Sequence, residues 1–100
     1  METVTLYRAV SEAEWQQLMR TGKFEAVPSS LEGKCFTESA EDAARWGEML
    51  EGAGHYRIVE VTLPTSVTQS LLQWEKLDGI GPARYSELHQ LYDAVVRLSQ

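Results

Sequence analysis

Three short stretches of this 100-residue chain carry side chains able to hold an anion, wall a flat ring or move a proton. Tyr7-Arg8 is the first. The planar guanidinium offers five N–H donors in a fork that matches phosphate or ribose oxygens; alternatively, an Arg beside an aromatic is a solvated strand-edge residue. Gly33-Lys34-Cys35-Phe36-Thr37 is the second, with Trp46 in the segment that follows. A Gly at the head of a short strand marks a place where a ligand or another backbone comes close. Phe36 reads as a core aromatic, whereas Trp46 is open to two readings, core packing or one wall of a pocket for a flat ring. The third stretch is Tyr85-Ser86-Glu87-Leu88-His89-Gln90, where the acid Glu87 lies between Ser86 and the apolar Leu88. Taken alone, Glu87 is a surface acid. Metal chemistry has little to draw on, because Cys35 is the single cysteine and only His55 and His89 could join it. No metal site and no internal disulfide is expected.

These side chains must be positioned by local structure. Thr3 to Val10 (TVTLYRAV) is rich in β-branched and aromatic residues and reads as a strand carrying Arg8. Ser11 with Glu14 three places on forms a capping box that opens a helix. Trp15, Leu18 and Met19 would bury one face of that helix, and Gly22 stops it. Ala26 to Lys34 is irregular, and Cys35 to Thr37 reads as a short strand. Ser39 is an N-cap with Asp42 near the helix dipole, and the helix Ala40 to Leu50 would bury Ala43, Trp46, Gly47 and Leu50. Gly52 and Gly54 end it. His55 to Leu63 (HYRIVEVTL) is the clearest strand, closed by Pro64. Thr65 to Trp74 is a short helix or an irregular link, and Leu77 to Arg84 (LDGIGPAR) is a loop with turns. Tyr85 to Leu98 suits one helix or two short strands, and periodicity does not choose. The order of elements gives a single mixed α+β domain over residues 1–100.

Composition narrows the partners. The 43% hydrophobic content suffices for one modest core. No apolar run approaches the roughly 18 residues that span a bilayer, and Met1 to Arg8 lacks the basic flank and apolar core of an export signal. With 9 Lys and Arg against 15 Asp and Glu, the net charge of -6 argues against a grip on nucleic acid phosphates. A small molecule, a protein, or both remain.

Together, Arg8 in the opening strand, Gly-Lys-Cys-Phe-Thr from Gly33, Trp46 eleven residues beyond Cys35, and Glu87 late in the chain resemble the ADP-ribosyltransferase superfamily, the fold of diphtheria toxin and the poly(ADP-ribose) polymerases. In that family a first-strand His or Arg holds NAD. A Tyr on a Gly-led strand and an aromatic eleven residues later sandwich nicotinamide, and a late strand after a loop carries the catalytic Glu. Arg8 is similar to the cholera-toxin branch, and the spacing to Trp46 to the diphtheria branch. Cys35 stands where the family has its Tyr, with Phe36 the neighbouring ring. Leu6 to Val10, Ser30 to Gly47 and Leu77 to Leu91 further resemble the small C-terminal toxin tips of bacterial Rhs and related polymorphic toxins.

The resemblance implies small split β-sheets flanked by short helices, and NAD as substrate. It implies that Tyr7, Arg8, Gly33, Lys34, Cys35, Phe36, Thr37 and Trp46 surround NAD, with Arg8 as the clamp and Glu87 as the catalytic carboxylate. Trp74, Leu77, Gly79 and Gly81 in the loop from Trp74 to Arg84 would recognise the macromolecular target. That target would be a protein of bacterial translation such as elongation factor Tu. The chain would be the tip of a larger secreted toxin, act in the cytoplasm of a target bacterium and be made with a cognate immunity protein. Other classes stay open: an NAD glycohydrolase on the same fold, a non-catalytic acidic binding module, and, least supported by composition, a ribonuclease.

Overall fold

The computed structural model describes residues 2–24, 33–74, 82–91 and 94–98 of the chain. The first strand, β1 (Thr3–Ser11), runs directly into helix α1 (Glu12–Thr21). The Ser11 hydroxyl accepts the Glu14 N–H at 3.2 Å and caps the start of α1. Gly22, in the left-handed region at φ 74°, caps the end and returns its N–H to the Leu18 carbonyl at 2.7 Å. β2 (Gly33–Thr37) leads into α2 (Ala40–Leu50), whose N-cap Ser39 accepts the Asp42 N–H at 3.1 Å. β3 (Tyr56–Pro64), the short helix α3 (Thr65–Ser70), β4 (Leu72–Trp74), β5 (Ala83–Glu87), a 3₁₀ turn (Leu88–Leu91) and β6 (Val95–Leu98) follow.

Among the described residues, the strands form one antiparallel sheet in the order β4-β5-β2-β1-β3-β6. The ladder between β1 and β3 is unbroken from Thr3 opposite Pro64 to Ser11 opposite Tyr56. That between β2 and β5 runs from Gly33 opposite Glu87 to Thr37 opposite Ala83. Between them the sheet comes apart: β1 and β2 are joined only where Tyr7 faces Thr37. Register partners share a face, so the pleat sorts the side chains. Leu6, Arg8, Val10, Val59, Val61 and Leu63 lie on one face with Lys34 and Phe36. Tyr7, Ala9, Ile58, Cys35, Tyr85 and Glu87 lie on the other.

The first face holds the main core, in which Leu6, Val10, Leu18, Phe24, Phe36, Val59, Val61 and Leu63 are buried with Leu71 and Leu91. The second carries α2, whose buried residues are the small Ala43 and Gly47. Gly47 lies directly against the Tyr56 ring; a Cβ there would come within 2.8 Å of Cγ, Cδ2 and Cε2. Gly47→Ala gains helix propensity of about 1 kcal/mol. It also overpacks this contact at a cost of about 1–3 kcal/mol, because Cγ cannot swing away from its own Cβ. The expected outcome is a lower Tm in a thermal melt; a rise would mean the ring moves aside without cost.

Several expectations need correction. Met19 is 65% and Leu50 67% exposed. α1 reaches the core through Leu18, with Trp15 packed against it, and the helical rotation carries Met19 outward. Leu50 lies a turn beyond Gly47, which already covers the first residue of β3. The second strand starts at Gly33 instead of Cys35 and the third at Tyr56 instead of His55; Ala83 and Arg84 belong to β5 and not to the loop. The reciprocal arm of the capping box is missing, because the Glu14 carboxylate is engaged by Arg8. Thr65 to Trp74 resolves into α3 and β4, and the ambiguous last segment into strands around a 3₁₀ turn. No helix among the described residues is long and apolar enough to cross a membrane.

Candidate functional site

Where β1 and β2 separate, the freed backbone needs other partners. Arg8 supplies one. Its Nη1 donates to the Cys35 carbonyl at 3.0 Å, reaching across the opening. Its Nε and Nη2 donate side by side to Glu14 Oε2 and Oε1 at 2.8 and 2.9 Å, a bidentate pair. These three bonds leave two guanidinium N–H donors for a ligand, and the side chain keeps 20% of its exposure. Lys34 Nζ lies 3.9 Å from Glu14 Oε1, with its side chain 7% exposed. Burial lowers the Lys34 pKa and the Arg8 charge lowers it further, against the opposing pull of Glu14. Two cations therefore surround one carboxylate in a half-buried space, leaving local positive charge in a chain of net charge -6.

On the opposite face, Cys35 stands across the ladder from Tyr85, and Gly33 from Glu87. Tyr85 and Glu87 are two apart on one strand, so ring and carboxylate are neighbours about 7 Å apart along the backbone. Glu87 is exposed at the end of β5, where its backbone N–H donates to Gln90 Oε1 at 2.9 Å. α2 lies on this face and carries the half-buried Trp46. Cys35 is half-buried; burial raises its pKa, opposed by the Arg8 charge. The thiol is thus held protonated at neutral pH, and only the thiolate is a strong nucleophile. Cys35→Ser is expected to leave any activity of this site within a few-fold of the parent, and iodoacetamide to label Cys35 slowly at neutral pH.

The structure therefore brings Cys35, Trp46 and Glu87 to one face and roots Arg8 and Lys34 on the other, with the Arg8 guanidinium crossing the opening to the Cys35 backbone. Arg8 is not a solvated edge residue: its three bonds tie β1 to α1 and to the Cys35 backbone. Phe36 is 1% exposed and packs edge-on against Phe24, ring centres 5.6 Å apart, on the face away from the Cys35 side chain. That placement takes it away from any slot beside Cys35. Tyr7 is half-buried beside Thr37. The Thr37 hydroxyl is engaged by the Ser39 carbonyl at 2.7 Å and the Tyr7 carbonyl at 3.3 Å. Trp74 contributes backbone to β4 opposite Ala83, while Leu77, Gly79 and Gly81 lie outside the described residues. Two residues escaped the sequence. Glu14 looked like a helix cap, although an acid in the first turn of the helix that follows a strand Arg was a usable signal. Tyr85 was visible as a residue type, but its place opposite Cys35 depends on strand register.

Among the described residues, no His, Cys, Asp and Glu side chains gather closely enough to hold a metal ion. An open cavity of about 450 Å³ lies among Glu12, Gly54, His55, Tyr56 and Arg57. Its Arg57 is bonded to Glu12 at 3.0 Å and stacked 5.4 Å over the Trp15 ring. No family model, curated protein or solved structure matches the chain.

Proposed function

We propose that the chain is an NAD-dependent mono-ADP-ribosyltransferase with an ADP-ribosyltransferase-like split sheet. The observation that carries this reading is the opening between β1 and β2, spanned by Arg8, with Cys35, Tyr85 and Glu87 gathered on the face beside it. Breaking the bond between nicotinamide and ribose needs three things: a slot for the nicotinamide ring, a clamp for the diphosphate, and a carboxylate close to the ribose. Arg8 is the clamp, an oriented fork with donors to spare and Lys34 as a second cation. We assign the walls of the slot to Trp46 and Tyr85, two rings on the same side of the sheet. Tyr85, directly across from Cys35, supplies a ring where Cys35 has none.

Glu87 acts at the ribose. As the C1′–N bond breaks, its electron pair leaves with nicotinamide and positive charge develops at C1′, as in glycoside cleavage. A carboxylate hydrogen-bonded to the 2′-hydroxyl stabilises that charge. The acceptor then bonds to C1′ and gives up its proton, with Glu87 as the base. The acceptor we favour is a protein of bacterial translation, elongation factor Tu, met in the cytoplasm of a target cell by the tip of a larger secreted toxin; the acidic balance supports protein over RNA.

The test is incubation with labelled NAD and bacterial lysate, followed by gel separation and analysis of the released products. A single labelled protein band is expected. Free ADP-ribose without a band would make the chain a glycohydrolase, and intact NAD would remove the reading altogether.

A further inference from the structure

We propose that Glu14 is a positioning residue for the NAD site, acting through Arg8. This rests on the reading of Arg8 as the NAD clamp. Its carboxylate takes the Nε–Nη2 edge of Arg8 at 2.8 and 2.9 Å, while the Cys35 carbonyl takes Nη1 at 3.0 Å. Held on two sides by groups from α1 and β2, the guanidinium is fixed in orientation, with two N–H donors left over. Glu14 is itself anchored: its N–H is fixed by the Ser11 cap at 3.2 Å, and its side chain is 14% exposed. Lys34 meets the same carboxylate at 3.9 Å, so Glu14 also sets the spacing between the two cations. A carboxylate beside an anion site opposes anion binding by its charge. What Glu14 contributes is orientation, not affinity.

That distinction makes the role measurable. Glu14→Gln keeps the shape, the cap and one acceptor oxygen, but removes the negative charge and the bidentate grip. The local charge becomes more positive, so KM for NAD should not rise. The clamp loses its orientation, so kcat should fall roughly ten- to a hundredfold. In an Arg8→Lys background, adding Glu14→Gln should change kcat little, because the residue it orients is already gone.

The experiment is steady-state NAD cleavage by the four members of this double-mutant cycle, with thermal melts alongside. An equal fall in both backgrounds would overturn the inference, since it would make Glu14 a structural residue independent of Arg8. So would an unchanged kcat, or a raised KM at constant kcat. If Glu14→Gln does not fold, Glu14→Asp replaces it in the same cycle with the same non-additivity expected. A parent protein inert toward NAD would overturn the proposed function and this inference with it, whereas an active parent with an additive cycle would overturn the inference alone.

Discussion

Glu87→Ala is expected to abolish ADP-ribose transfer while the fold persists. The side chain is exposed at the last position of β5, so truncation removes little packing. The backbone N–H that closes onto Gln90 is retained. What is lost is a carboxylate that acts mainly when charge develops at the ribose, so a fall of roughly 10²–10³ or more in kcat is at stake. Since the loss is confined to the transition state, NAD binding should change much less than turnover. Labelled-NAD turnover and a thermal melt on the same preparation check both halves. Turnover at the parent rate would remove Glu87 from the mechanism.

Arg8→Lys is expected to harm both NAD use and stability despite preserving the charge. An ammonium is a point charge and cannot hold Glu14 side-on while reaching the Cys35 carbonyl. That carbonyl lies where β1 and β2 have separated, so losing Arg8 leaves it without this partner at a cost of about 1–3 kcal/mol. Losing even one strong charge-assisted bond to the substrate would lower kcat/KM by roughly ten- to a hundredfold. Melting and NAD titration should therefore both move. A lower Tm with unchanged NAD kinetics would leave Arg8 as a strut between strands and take it out of the NAD site.

Local features were legible in the residues themselves. The Ser11 and Ser39 caps, the Gly22 stop, the opening strand and the helix from Ala40 to Leu50 all lie where short-range rules put them. These rules act over three or four residues, through side-chain oxygens that reach nearby N–H groups and through a left-handed conformation that glycine tolerates. The mixed α+β class follows from the alternation of such elements. The choice between helix and strands for Tyr85 to Leu98 did not, because apolar spacing fits both until a sheet edge is available: β2 accepts the Tyr85 end and β3 accepts Val95 to Leu98.

The site was legible only as residue types. Arg8 and Glu87 stood out as chemistry, yet nothing local says that β1 and β2 part after Tyr7, or that Tyr85 faces Cys35 from 50 positions away. Glu14 shows the limit most clearly. Its sequence setting predicts a side chain folded back onto Ser11, and its backbone obeys, but its carboxylate turns to Arg8 instead. A neutral cap bond is worth about 1 kcal/mol, whereas a half-buried guanidinium without a counter-charge costs several. The tertiary structure decided that competition because the cation is buried only once the sheet has formed and opened beside it.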